Sequence, residues 1–312
     1  MQLLIPFAST LDQACQHTIR DLQLPALTRL LARLAPAQRL GSDESSLTPP
    51  HELAGAATLG WHGADGCLPW AARLAQRDGI GDLGGRPWGL LTPAHWAVSA
   101  EGVLLVDPAA LALDAAESRA LFDAVRDLFE SEGWRVAWGA PLRWYASHDA
   151  LADLPCAALD RAIGRNVDDW MQPGPRMGLV RRLQSEAQML LYHAPVNDAR
   201  EARGALAVNS FWLSGCGMAQ PGQDDAGLCE DDRLRAPALA QDWAAWAEAW
   251  QALDRGPVAD LLQRLGGGEA VALTLCGERV AQRFEPVAGG GVFTRLARRF
   301  RTPDVAALLE AL

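Results

Sequence analysis

The chain contains no lysine, and all 28 of its strongly basic residues are arginine. That absence excludes a Schiff-base lysine and the lysine of a phosphate-binding P-loop. Cysteine is sparse and scattered. Cys15, Cys67, Cys156, Cys216, Cys229 and Cys276 form no CxxC pair and no Cys/His group of zinc-ligand spacing, which points to a reduced, cytoplasmic protein. No uncharged apolar run approaches the ~18–20 residues that span a bilayer, so no membrane association is expected. The opening MQLLIPFAST carries only a short apolar run, Leu3 to Ala8, without a basic start, and reads as a buried strand rather than a secretory signal. Arginines are outnumbered by 38 acidic residues, and the formal charge of −10 makes nucleic acid or anionic lipid an unfavourable partner.

What is present is the makeup of a globular protein. At 312 residues, 49% hydrophobic and 21% charged, the chain can bury a core without disulfides or a structural metal, in one large domain or two ordinary ones. Thr10 with Gln13 suggests a capping box, and Pro25 a second helix carrying Leu27, Leu30, Leu31 and Leu34. The stretch Ala35 to His51, rich in Pro, Gly and Ser, reads as an exposed, mobile connection. His95 to Val98 and Val103 to Val106 flank a polar loop and predict two paired strands. Asp114 and Glu117 open a periodic helix through Leu121, Val125, Leu128 and Phe129 that Gly133 closes. Trp134 to Trp138 and Leu142 to Tyr145 follow as β-prone runs. Arg176 to Tyr192 has one apolar helical face, with Arg181, Gln184 and Gln188 off it. A strand at Ala207 to Leu213, a helix from Pro237 to Leu253 with Trp243, Trp246 and Trp250 in a stripe, and a strand at Glu269 to Cys276 complete an α/β pattern. Gly289 to Gly291 precede a short arginine-rich helix.

The densest group of polar residues is HAPVNDAREARGALAVNSFWLSGCG, His193 to Gly217. Asn197 is placed to cap a short helix bearing Arg200 and Arg203, with Gly204 at its end; a strand would then deliver Asn209, Ser214 and the Gly215-Cys216-Gly217 turn to one edge. Guanidinium forks and glycine-flanked N–H groups are the chemistry of an anion site. The same residue types also suit a strand ending in a tight turn with surface arginines. Other candidates divide in the same way. His95 with Asp107 is a general base with its carboxylate, or a structural histidine. Cys216 is a nucleophile at a turn, or a small buried filler. Gln184, Glu186 and Gln188 with Arg181 and Arg182 are a recognition surface, or a solvated helix face. The tryptophan stripe is a docking surface, or core. Arg295, Arg298, Arg299 and Arg301 contact an acidic partner, or solvent.

The segment is similar to one in the archaeal-type cofactor-independent phosphoglycerate mutases and their homoserine-kinase-like bacterial relatives. Their pattern of HPxN, R, G, aN and a hydrophobic run into GxG falls on His193, Pro195, Asn197, Arg200, Gly204, Asn209, Gly215 and Gly217. The chain also resembles a proteobacterial family labelled phosphoglycerate mutase, with LTPAHW (Leu91 to Trp96) and NSFWLSGCG (Asn209 to Gly217) as its signature runs. The resemblance implies an α/β fold with an alkaline phosphatase-like core and a mainly helical inserted part. It suggests residues 1–150 as the first part of the core, 151–256 as the insertion, and 257–312 as the return. In those mutases two metal ions and a Ser or Thr nucleophile transfer a phosphoryl group. Here Phe7-Ala8 stands where the relatives begin their metal site with Asp-Gly, Ser214 replaces the arginine before GxG, and no histidine follows His193. The expectation is therefore a mutase-like protein without the two-metal centre and without a cofactor, binding an anionic small molecule or a protein through His193, Asn197, Arg200, Arg203, Asn209, Ser214, Gly215 and Gly217. The alternatives are a metal-dependent phosphomutase or phosphatase with ligands from Asp12, His62, Asp65, His95 and Asp107, and a regulatory interaction module using the tryptophan and arginine surfaces.

Overall fold

A computed structural model describes every residue except 42, 82–84, 101, 223–226 and 287–302. The arginine set at 295–301 and the glycines at 289–291 lie outside the described residues. In chain order the elements begin with β1 (Gln2–Ile5), α1 (Gln13–Asp21), α2 (Pro25–Leu31), β2 (Leu34–Gly41), α3 (Pro50–Leu59) and α4 (Trp70–Arg77). There follow β3 (Pro87–Ala94), β4 (Trp96–Ser99), β5 (Gly102–Leu105), α5 (Ala115–Ser131), β6 (Arg135–Ala140) and β7 (Arg143–Ser147). Two single-turn helices, α6 (Leu159–Ala162) and α7 (Val167–Trp170), precede α8 (Pro175–Tyr192), α9 (Pro195–Ala202) and β8 (Ser210–Met218). The chain continues through β9 (Leu228–Glu230), α10 (Arg235–Leu239), α11 (Trp243–Leu253), α12 (Ala259–Gly266), β10 (Ala272–Cys276), β11 (Val280–Pro286) and α13 (Val305–Glu310).

These elements form two compact units, one from residues 1–45, 49–60 and 222–312, the other from 46–48 and 61–221. The breaks near 60 and 221 differ from the 150/151 and 256/257 breaks suggested by the sequence.

The first unit is a mixed sheet in the order β2-β11-β10-β1-β9. β1 runs parallel to both β10 and β9, while β11 is antiparallel to β10 and to β2. Alternation along β1 sends Leu3 and Ile5 into a cluster with Ile19, Leu27, Leu30, Trp246, Trp250 and Leu261, and sends Leu4 to the other face against Ala54 of α3. Helices thus cover both faces of one sheet, as the α/β pattern requires. The expected loop at 35–51 is in part the edge strand β2. Its exposed residues hide the strand pattern, and Pro36 is tolerated because it sits at the register shift opposite Phe284. α1 is capped by Asp12, whose Oδ1 accepts from the N–H groups of Ala14 (2.7 Å) and Cys15 (3.2 Å), and not by Thr10. A carboxylate suits that position through both hydrogen bonding and the helix dipole. The expected helix from Pro237 is broken at Gln241, where φ is +53°, and restarts with Asp242 accepting from the Ala245 N–H at 3.0 Å. α11 runs into α12 through a π-helical turn, Asp254–Val258. That turn carries a buried carboxylate to α2: Asp254 accepts from the N–H groups of Leu27 (2.7 Å) and Ala26 (3.0 Å), supplying the cap that Leu24 cannot.

The second unit is built on an antiparallel sheet, β6-β7-β3-β8, with β4-β5 as a separate hairpin where the sequence predicts one. Adjacent residues on β7 face opposite ways. Tyr145 packs with Ala71, Ala72 and Ala75 of α4, whereas Trp144 meets Phe122 of α5 edge-on at 5.6 Å. α5 begins at Asp114, which accepts from the Glu117 N–H at 2.8 Å, and Gly133 follows its end at φ +79°, both as predicted. The fourth strand of this sheet, β8, is longer and later than the expected Ala207 to Leu213. Gly215, Cys216 and Gly217 lie inside β8, with Gly217 opposite Trp88, and not in a turn beyond it. The positive φ of Gly215 (+63°) makes a bulge in a strand that continues.

A polar knot joins α4 to this sheet. Arg143 donates to both oxygens of Asp78 (2.8 and 2.9 Å), and the Tyr145 hydroxyl donates to Oδ2 at 2.6 Å. The Arg143 hydrogen bonds, with help from Tyr145, hold the Asp78 carboxyl below its ordinary value of 3.8. Because the folded value is the lower one, the unfolded chain binds the proton first as pH falls. The contribution is therefore present in full above about pH 4 and is lost with further acidification. Asp78→Asn is expected to lower stability by about 1–2 kcal/mol at pH 7, with the difference shrinking toward pH 3, as read by urea titrations at the two values.

Candidate functional site

The residues from His193 to Gly217 occupy α9, β8 and the loop joining them, within the second unit. Pro195 opens α9, so Asn197 falls inside the first turn and does not cap it. Its buried amide donates to the carbonyls of Leu191 and Val208 (both 2.8 Å) and accepts from the Val208 N–H at 2.9 Å. It therefore ties α8 to the approach of β8. Gly204, at φ +77°, ends the helix as expected.

Arg200 is fully buried. Its Nε donates to the Leu206 carbonyl at 2.9 Å, Nη1 to Glu117 Oε2 at 2.6 Å, and Nη2 to the Leu111 carbonyl. Arg203 reaches the other oxygen of the same carboxylate while its side chain stays half exposed. Glu117 is thus held between two guanidinium groups, and Arg200 stitches α5, the turn after β5 and the α9–β8 loop together. Asn209 performs a similar task at the β4-β5 hairpin, accepting from the Trp96 N–H at 2.7 Å and donating to the Trp96 carbonyl at 3.0 Å.

The two glycines admit a helix rather than a ligand. A Cβ on Gly215 would stand 2.8 Å from the backbone nitrogen of Ala71, and one on Gly217 would stand 3.3 Å from Pro69 Cβ, so α4 seats its first turn on β8. Ser214 is buried in the same strand. Cys216 is buried beside Cys156, with burial pushing its thiol well above the ordinary range. His193 is exposed at the end of α8, against the Tyr192 ring. Of the eight candidates, then, Asn197, Arg200 and Asn209 are brought together as internal ties, and His193 and Arg203 keep access to solvent.

The remaining candidates sort the same way. His95 Nδ1 lies 2.7 Å from the Ala207 carbonyl, and Asp107 accepts from the Ala109 N–H at 3.0 Å, capping a short turn. Asp65 accepts from the N–H groups of Leu47 and Thr48, both at 2.8 Å. Asp12 caps α1 and His62 is exposed. Among the described residues no three His, Cys, Asp or Glu side chains come together as a metal ion needs. Gln184 is buried, contrary to its expected place off the packed face, because its Nε2 donates to the Phe211 carbonyl at 3.0 Å. Glu186 and Arg182 are a solvated pair at 3.4 Å. Trp246 and Trp250 are core residues at 0% exposure, and Trp243 is partly buried against the same cluster.

At the end of β1, Phe7 turns through φ +55°. Its carbonyl accepts from Trp246 Nε1 at 3.0 Å, and the Ala8 carbonyl accepts from Trp250 Nε1 at 3.3 Å. Two indoles thus fix the turn. The hydrophobic stripe signals those tryptophans in the sequence; nothing there signals which carbonyls they would reach.

Fold and site together describe a two-unit, mixed α/β protein whose polar cluster is turned inward. No known family profile matches the chain, and no curated protein matches it. Among solved structures it is similar to the cofactor-independent phosphoglycerate mutase from Thermoplasma acidophilum DSM 1728, at 14% identity over 100% of this chain and 99% of that one, with a TM-score of 0.34. It is also similar to the PH0037 protein from Pyrococcus horikoshii, at 12% identity over 98% of this chain and 92% of that one, with a TM-score of 0.45. The likeness is distant, and no residue role follows from it. No helix among the described residues is long and apolar enough to cross a membrane.

Proposed function

We infer that this chain is a phosphoglycerate mutase-like protein, on an alkaline phosphatase-like core, that works in the cytoplasm by binding a partner and not by two-metal phosphoryl transfer. The observation that carries the reading is the end of β1. A metal ion would need a carboxylate there, and the position holds Phe7 and Ala8 with their carbonyls engaged by Trp246 and Trp250. The scattered cysteine spacing, without a CxxC pair, is the sequence feature that suggests a reducing compartment. Of the two ligand classes, a protein fits better than a small anion. The polar atoms of Asn197 and Arg200 are used within the fold, whereas Met189, Leu190 and Tyr192 stand 64%, 42% and 73% exposed within one turn of α8.

The test is metal analysis of the purified protein, with assays on p-nitrophenyl phosphate and 3-phosphoglycerate in added manganese or zinc. Substoichiometric metal and no turnover are expected. Stoichiometric metal with turnover would overturn the reading. Saturable binding of inorganic phosphate that disappears in Arg203→Met would replace the protein partner with an anionic ligand.

A further inference from the structure

Three cysteines that the sequence keeps far apart converge in the second unit. Cys156 and Cys216 are both buried, and their sulfur atoms lie 3.4 Å apart although 60 residues separate them in the chain. The backbone builds this meeting. The Cys156 N–H donates to the Gly66 carbonyl at 3.0 Å, placing its loop directly beside Cys67. On β8, the bulge at Gly215 orients the next residue so that Cys216 Sγ sits 3.2 Å from where a Cβ on Gly89 would stand. The glycine across the strand pair is the room the sulfur occupies. Cys67, unlike the other two, is partly exposed. Burial first, and then the neighbouring Cys156, pushes the Cys67 thiol up; burial and then Cys156 do the same for Cys216.

We propose that Cys156 and Cys216 form a redox-active dithiol that a peroxide reaches through Cys67. Bonded sulfurs stand about 2.05 Å apart, so closing the pair needs a shift of somewhat over ~1 Å, within the reach of side-chain rotation. The steps balance. The Cys67 thiolate attacks one peroxide oxygen, breaking the O–O bond, to give a sulfenic acid and an alcohol, or water when the oxidant is hydrogen peroxide. Cys156 displaces hydroxide from that sulfur, the hydroxide takes up the thiol proton as water, and a Cys67–Cys156 disulfide results. The Cys216 thiolate then attacks Cys156, releasing Cys67 as a thiol and leaving the Cys156–Cys216 disulfide. Two thiols are oxidised, one peroxide is reduced, and the entry cysteine is regenerated. This inference is independent of the partner-binding reading.

The experiment treats the folded full-length protein with hydrogen peroxide, blocks residual thiols with N-ethylmaleimide, and maps non-reduced peptides by mass spectrometry. The expected result is a Cys156–Cys216 linked peptide, with two thiols lost at that site and restored by dithiothreitol, while exposed Cys229 gives no intramolecular link. Cys67→Ser is expected to slow formation of that link at least tenfold. Recovery of Cys156 and Cys216 fully alkylated after Cys229 has been oxidised would overturn the dithiol, and an unchanged rate in Cys67→Ser would overturn the entry route.

Discussion

Replacing Arg200 with methionine is expected to destabilise the second unit by about 3–5 kcal/mol, the cost of breaking a buried, hydrogen-bonded ion pair from one side. The substitution leaves the Leu111 and Leu206 carbonyls without their donors and Glu117 with only the half-exposed Arg203. Each buried group stripped of its partner is penalised separately. Lysine is expected to recover little, because a single ammonium cannot reproduce a planar fork that serves three acceptors at once. Urea titration gives the loss, and a double-mutant cycle with Glu117→Gln is expected to show strong coupling. The prediction separates two roles for the same residue. An arginine that held an anion would leave the fold unharmed when replaced and would abolish binding; independent, additive effects of the two substitutions would therefore sink the internal tie.

Trp246→Ala is expected to cost the first unit about 3–5 kcal/mol. The indole is wholly buried, meets Trp243 and Trp250 edge-on at 6.2 and 6.1 Å, and donates to the Phe7 carbonyl. Its loss opens a cavity and frees a backbone turn at φ +55°, an uncommon conformation for a residue other than glycine. Thermal unfolding followed by circular dichroism should show the early transition. Trp243→Ala, at a position only partly buried, is expected to lose markedly less. Full stability of Trp246→Ala together with a lost partner would put the tryptophans back on an interaction surface.

The elements that the sequence makes legible are those whose signals are local. α5 announces itself by Asp114, by an apolar period and by Gly133, and the β4-β5 hairpin by two apolar runs around a polar loop. The tryptophan spacing reads as a buried stripe for the same reason. β2 is hidden because an edge strand needs pairing on one side only, and its exposed side chains look like those of a loop. The glycines of β8 look like a turn because composition cannot tell a bulge from a reversal. For the candidate site, the concentration of polar residues between His193 and Gly217 is plain, but the direction those groups face is not. Glu117 lies 83 residues from Arg200, and only the tertiary fold shows that one neutralises the other. The cysteine cluster leaves no trace at all in spacing, since its three members come from three separate segments.

The way β1 is paired carries a consequence for how the protein is made. Its register partners lie on β10, where Gln2 aligns with Ala272, and on β9, where it aligns with Leu228. At ribosomal speeds of about 5–20 residues per second, roughly 15–55 s pass between synthesis of β1 and arrival of its β10 partner. β1 therefore has no strand to pair with until Leu228–Glu230 and Ala272–Cys276 have been made, and its apolar residues Leu3 and Ile5 depend on segments far along the chain for their cover.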